Sequence, residues 1–156
     1  MMVSIQNKKP APTAFLPMRG PYDQTADGFA RLDAWIGGHG LKAVSVRTGI
    51  YYNIASDPSC SDAVWELQIQ LRGTVAEAEP DESGIGVKLT PEMKVASAIH
   101  KGSPDTIATT YQALWAWIDE NGYELAGPPQ ERYLNDPAEV EDDECLTEVI
   151  MPISRL

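Results

Sequence analysis

Two stretches of this 156-residue chain are related at a constant spacing of 82 positions: Gly20, Leu32, Trp35, Ile36 and Gly40 recur as Gly102, Leu114, Trp117, Ile118 and Gly122. A repeat on this scale constrains the architecture more than any local propensity does, because whatever the first half folds into the second half must fold into as well. The register slips to 79 where Asp57-Pro58 recurs as Asp136-Pro137, and returns to 82 where Glu66-Leu67 recurs as Glu148-Val149. Compensating changes of loop length are what duplication followed by drift leaves, since loops tolerate insertions that packed elements do not. The chain therefore reads as a single domain of two repeats, about 13–73 and 87–154, joined by a polar connector at 74–86. A seam between related halves suits a ligand, because each half supplies part of the wall and neither encloses it alone.

Each half opens with a short extended run, Ala14-Phe15-Leu16 and 95–99 (VASAI), and reaches a glycine. A helix follows. In the second half Ser103-Pro104-Asp105 provides an N-cap hydroxyl, a first-turn proline and an acid near the positive helix end. Ile107, Tyr111, Leu114 and Ile118 then form one apolar stripe, and Asn121-Gly122 ends it. The first helix carries Phe29, Leu32 and Ile36 on its stripe and is expected to stop at Gly37-Gly38.

Strands come next: 48–53 (TGIYYN) and 64–71 (VWELQIQL) in the first half, 130–134 (QERYL) and 145–153 (CLTEVIMPI) in the second. Along 64–71 Trp65, Leu67, Ile69 and Leu71 share one face while Glu66, Gln68 and Gln70 share the other. Pro152 predicts a strand end or edge. The expected fold is α+β: strand–helix–strand–strand twice, an antiparallel sheet with two helices and pseudo-two-fold symmetry.

The formal charge is −11, from 12 Lys+Arg against 23 Asp+Glu, so the surface repels phosphate backbones and nucleic acid is an unfavourable partner. The acids crowd into 77–82 and 136–148, which read as solvated loops. There is no apolar run of membrane-spanning length and no apolar block near the start to serve as a signal, so a cytoplasmic protein is expected. Cys60 and Cys145 read as free thiols in that setting. With only His39 and His100, and no spaced Cys/His cluster, neither a metal nor a cofactor is expected. Nucleophile-elbow, phosphate-loop and dinucleotide signatures are missing.

Among residues that could carry chemistry, Glu131 stands out. Strand geometry puts Glu131 and Tyr133 on one face and Gln130, Arg132 and Leu134 on the other, so Arg132 cannot easily neutralise its neighbour. Facing inward, that carboxylate protonates or recruits a cation; facing outward, it is an ordinary strand glutamate. Tyr111 is a core contact at helical spacing or a ligand contact, and Trp115 reaches either a pocket rim or solvent. Trp65 opens the last strand of its half where the other half has only Thr147, and Tyr51 or Tyr52 could face a pocket. Met18 is either filler or an adaptable thioether wall. His100, in the equivalent position, reads as structural, since a general base would need an orienting acid that the sequence does not identify.

The stretches 20–36 (GPYDQTADGFARLDAWI), 49–53 (GIYYN), 111–118 (YQALWAWI), 128–137 (PPQERYLNDP) and 146–153 (LTEVIMPI) resemble the GyrI-like small-molecule-binding domains, in that family's order and over nearly the whole chain. The same domain serves as the effector-binding module of multidrug-responsive bacterial transcription activators. The resemblance implies a central pocket walled by aromatics with one acid at its base that meets lipophilic cations. Glu131 matches that acid, and Tyr133 the tyrosine of the same motif. Tyr111, Trp65, Trp115, Tyr52 and Met18 are the remaining candidate wall. Only about 13 residues precede the first expected strand, so a stand-alone binder of lipophilic cationic or aromatic molecules is expected in place of a regulator. Some stand-alone members of the family hydrolyse cyclopropane-bearing alkylating natural products. In that alternative Glu131 serves as general base and a nearby phenol, Tyr133 or Tyr111, donates the proton to the leaving atom. A third alternative is an interaction protein that protects gyrase or docks on another macromolecule.

Overall fold

The computed structural model describes residues 2–53, 61–136 and 139–156. Asp57, Pro58, Cys60 and Pro137, which enter the repeat and cysteine arguments, lie outside them. In chain order the elements are β1 (Ser4–Lys8), β2 (Pro12–Arg19), α1 (Thr25–Gly38), β3 (Ala43–Tyr51), β4 (Val64–Leu71), β5 (Gly86–Leu89), β6 (Met93–Lys101), α2 (Ile107–Glu120), β7 (Tyr123–Leu125), β8 (Gln130–Tyr133) and β9 (Leu146–Arg155). Every strand pairing within the two halves is antiparallel, and together with the two helices this makes the chain an α+β protein. No helix among the described residues is long and apolar enough to cross a membrane.

The backbone groups into two compact units, Lys9–Pro91 and Met1–Lys8 with Glu92–Leu156. In the first, strands run in the order β3-β4-β2-β5, and α1 packs on them through Phe29, Leu32 and Ile36. In the second the order is β1-β6-β9-β8, with β7 also on β9, and α2 closes a core of Ala96, Ala98, Leu114, Ile118, Val149, Met151 and Ile153. Each unit thus contains strand–helix–strand–strand, as the repeat requires.

The repeated glycines have a conformational reason. Gly20 and Gly102, just past β2 and β6, have φ of 94° and 130°, and Gly40 and Gly122, just past the helices, have φ of 68° and 78°. These are left-handed conformations that side chains disfavour, so the same turns preserve the same residue type. This also corrects the end of α1. Gly37 and Gly38 stay helical, and the stop comes at Gly40, whose N–H bonds to the Gly37 carbonyl at 3.1 Å.

Three strands were not expected from the sequence: β1, β5 and β7. β5 lies at the end of the polar connector and pairs with β2, while Ala78 bridges to Val87. Strand β3 begins at Ala43 and ends at Tyr51, earlier at both ends than the 48–53 run implied. Pro152 is neither at a strand end nor on an edge strand: it lies inside β9 opposite Val95 of β6. Its carbonyl accepts from the Ala126 N–H at 2.8 Å, and in an antiparallel strand a residue's N and C=O point the same way. The missing N–H therefore faces the gap between β8, which ends opposite Ile150, and β7, which begins opposite Ile153, where no strand residue needs a donor.

Candidate functional site

Strand β8 pairs with β9 so that Glu131 lies opposite Val149 and Tyr133 opposite Thr147, while Gln130 and Arg132 lie opposite Ile150 and Glu148. Alternation then sends the two sets to opposite faces, as expected. Helix α2 covers the face bearing Glu131, because its stripe buries Leu114 and Ile118 and leaves Tyr111 at the edge of the core. Tyr111 Oη donates to Glu131 Oε2 at 2.6 Å, and Tyr133 Oη donates to Oε1 at 3.2 Å. Both carboxylate oxygens of this partly buried side chain are thus held by phenols.

The charges elsewhere in the two units make that arrangement unusual. Glu66 is 5% exposed and ion-paired with Lys88 at 2.7 Å; its repeat counterpart Glu148 is paired with Arg132 at 2.9 Å. Among the described residues no Lys or Arg pairs with Glu131. Burial therefore pushes the Glu131 carboxyl above its ordinary value, opposed in part by the Tyr111 and Tyr133 hydrogen bonds and by nearby His100, all of which favour the ionised form. A carboxylate held in place by neutral donors, short of solvent and short of a counter-ion, is suited either to attract a cation or to accept a proton.

His100, on β6 opposite Thr147, is 7% exposed and anchors this region. Its Nε2 lies 3.1 Å from the Ser103 carbonyl and 3.2 Å from Thr106 Oγ1, and its Nδ1 lies 2.8 Å from Thr110 Oγ1. A carbonyl only accepts, so Nε2 is the ring nitrogen that donates to Ser103, while Nδ1 faces the Thr110 hydroxyl. The partners are hydroxyls and a carbonyl, so among the described residues no acid orients the ring by direct contact. Trp115, 41% exposed, meets Tyr111 edge-on at 5.8 Å and lines a surface groove of about 320 Å³ with Ile118, Tyr123 and Leu125.

The other candidates belong to the unit Lys9–Pro91. Met18 and Trp65 are cross-strand neighbours on the face covered by α1, and a side chain at Gly28 would meet the Met18 thioether at 3.2 Å. Met18 is therefore packed beneath the helix. Trp65 is 0% exposed and opposite Tyr51; the Tyr22 ring lies tilted 4.8 Å from the indole and edge-on 5.8 Å from Tyr51. Such ring pairs add about 0.5–1.5 kcal/mol each beyond area burial. Trp65 Nε1 is buried with no hydrogen-bond partner among the described residues, a condition that ordinarily costs about 1–3 kcal/mol.

Tyr51, not Tyr52, joins this aromatic cluster. Tyr52 is 49% exposed, and its phenol is raised above the usual value by partial burial and then by the Glu66 charge. Tyr22 escaped sequence reasoning because it sits in a 3-10 turn (Tyr22–Gln24) with no periodicity to assign it a face. The signal for Tyr51 was Gly49, two residues earlier on the same face: a side chain there would meet Tyr51 Oη at 2.8 Å, so the ring folds back over a residue that has none. Among the described residues no group of three or more His, Cys, Asp or Glu is arranged to hold a metal.

Several solved structures share this fold. The EcmrR C-terminal domain superposes with a TM-score of 0.81 at 17% identity, covering 99% of this chain and 98% of that one. In the EcmrR–DNA complex the match covers 58% of the longer EcmrR chain, with a TM-score of 0.82 at 16% identity. A hydrolase from Listeria innocua matches at TM-score 0.77 and 13% identity over 97% of this chain and 91% of that one. SAV2435 bound to tetraphenylphosphonium matches at 0.59 and 13% over 99% and 94%. No curated protein matches the sequence. The family model for the GyrI-like small molecule binding domain matches residues 1–154, so this chain belongs to the GyrI-like family.

Proposed function

We propose that this domain binds lipophilic, cationic, aromatic small molecules, with Glu131 as the charge that selects them and the Tyr111, Tyr133 and Trp115 rings beside it as contact surface. One observation carries the reading: Glu66 and Glu148 each have a cationic partner, whereas Glu131 has two phenols and no Lys or Arg among the described residues. The ion that would complete Glu131 comes from outside the chain. Cations also favour aromatic faces, by about 0.5–2 kcal/mol per ring. The likeness to SAV2435 bound to tetraphenylphosphonium makes that ion a reasonable probe. Titrating it by calorimetry into the native protein and Glu131→Gln tests the reading. Micromolar binding that weakens in the variant is expected; equal affinities remove the carboxylate from recognition.

A second reading is favoured by the 2.6 Å contact between Tyr111 Oη and Glu131. A carboxylate whose pKa is raised can take a proton from water as the water's oxygen attacks a strained, electrophilic carbon. A phenol in contact with it can give its proton to the departing atom and be reprotonated afterwards. That chemistry would open a cyclopropane by adding water across the broken bond. Mass spectrometry after incubation with such an alkylator separates the two: a water-added product that accumulates over many turnovers means hydrolysis, and recovery of intact compound means binding alone.

A further inference from the structure

Beside Glu131, and wholly within the unit formed by Met1–Lys8 and Glu92–Leu156, lies the groove of about 320 Å³ whose apolar walls are Trp115, Ile118, Tyr123, Leu125 and Leu156. Trp115, Leu125 and Leu156 are exposed large hydrophobic side chains, and their convergence on one hollow is the pattern that marks a binding surface. The groove continues from Glu131 along both elements that border it. On one edge of β9, β8 places Glu131 opposite Val149 and β7 places Leu125 opposite Ile153. Val149 and Ile153 both enter the core under α2, and residues directly opposite share a face, so Glu131 and Leu125 lie on that same face about 13 Å apart. Along α2, Tyr111, which donates to Glu131, is followed by Trp115 and then Ile118, a rise of about 10 Å. Trp115 joins the two ends, since its ring meets Tyr111 at 5.8 Å and also lines the groove.

Charge differs between the two ends. Among the described residues Glu131 has no Lys or Arg partner. At the far end two acids, Asp119 and Glu124, line the groove, while Lys94 and Arg155 stand over the Tyr123 ring at 5.3 and 5.2 Å. Two acids offset by two cations leave that end close to neutral, with apolar walls. One end thus calls for a positive charge and the other for none.

We propose that this groove is the tail subsite of the Glu131 site, and that the ligand is a cationic amphiphile: its charged head lies at Glu131 and an unbranched apolar tail runs over Trp115 to Ile118, Tyr123 and Leu125. The inference rests on the cation-binding reading and names the ligand class within it. A fatty acid, with the opposite charge on its head, is repelled by the same carboxylate. A span of about 10–13 Å, at roughly 1.2 Å per bond of an extended chain, takes a tail of about eight to eleven carbons.

The test is a series of alkyltrimethylammonium ions from hexyl to tetradecyl, titrated by calorimetry below their micelle-forming concentrations. In native protein the affinity should rise about two- to fourfold per methylene, the upper figure being full burial of each one, and level off near about eleven carbons. Glu131→Gln should lower the whole series by a similar factor. Leu125→Gln, at an exposed position of β7, should instead flatten it, weakening the dodecyl ion about tenfold more than the hexyl ion, whose tail ends short of Leu125. In native protein the terminal methyl of the bound decyl ion should give a nuclear Overhauser effect to the Leu125 methyls, a readout that needs no variant. The inference is overturned if affinity is indifferent to chain length, if Leu125→Gln weakens the hexyl and dodecyl ions alike, or if the terminal methyl shows no contact with Leu125. A native dimer that Leu125→Gln dissociates, with affinity indifferent to chain length, would give the groove to a second copy of the chain and overturn it too. Native protein that binds neither tetraphenylphosphonium nor any member of the series would sink both this inference and the binding reading. Tetraphenylphosphonium binding that weakens in Glu131→Gln, together with a flat alkyl series, would remove this inference alone.

Discussion

Replacing Glu131 by Gln keeps the shape of the side chain and removes its charge, and the consequences can be worked in sign and size. Two unit charges about 5 Å apart at an effective dielectric near 20 attract by about 3 kcal/mol. Stripping water from the cation takes back part of that, leaving about 2 kcal/mol, or roughly 30-fold in Kd. Because burial raises the Glu131 pKa above 4.5, the native protein should bind tetraphenylphosphonium more tightly as pH rises through the raised value, and the variant should show no such rise. Stability moves the other way. A carboxyl whose folded pKa is raised binds its proton more tightly in the folded chain, so its favourable contribution is full below 4.5 and lost as pH climbs through the folded value. Glu131→Gln should therefore be as stable as the native protein at acid pH and equal or more stable at neutral pH. Calorimetric titration and urea unfolding across pH 4–8 measure both effects. A variant that binds the cation as tightly as the native protein at neutral pH, or that unfolds more easily there, would refute the assignment of an unneutralised buried charge.

Tyr111→Phe removes the 2.6 Å bond to a charged acceptor and should cost about 1–2 kcal/mol in urea unfolding at neutral pH. Because that bond favours the ionised form, losing it should shift the pH dependence of cation binding further upward. Gly86→Ala places a Cβ 2.6 Å from the Ala78 carbonyl oxygen and 2.9 Å from Pro80 N, both backbone atoms that cannot swing aside. A loss of about 2 kcal/mol with an unchanged denaturant slope is expected. Asp81 accepts hydrogen bonds from the Ser83 hydroxyl and N–H and from Trp35 Nε1, which hold its carboxyl down at about 2. Carbon-detected NMR titration should find it there, and Trp35→Phe should raise it.

How far the sequence could be followed depended on the range of the interactions involved. Helix α2 was legible because Ser103, the Ile107–Ile118 stripe and Gly122 act within a few turns, and Ser103 Oγ does accept from the Asp105 N–H at 3.1 Å. Strand β4 was legible because its alternation is strict, although Glu66 and Gln68 on its polar face also proved buried, with Gln68 Nε2 donating to Glu66 at 2.6 Å. The strands β1 and β7 were not, since each is short and holds its place by pairing with β6 or β9 far along the chain. Pro152 misled for the same reason: whether its missing N–H matters depends on where β7 and β8 begin and end.

Composition, periodicity and the 82-residue spacing determined by themselves that the chain is a duplicated α+β fold, and that Glu131 and Tyr133 share a face from which Arg132 is excluded. Those properties follow from the two-residue period of a strand and the turn chemistry of glycine, both local. Tertiary structure alone decided that Tyr111 clasps the Glu131 carboxylate, that Arg132 is taken by Glu148, and that Tyr51 and Tyr22 rather than Tyr52 surround an indole whose N–H finds no partner among the described residues. Charge neutralisation and hydrogen-bond satisfaction are sums over groups brought together from distant parts of the chain, and no window of sequence contains all the terms.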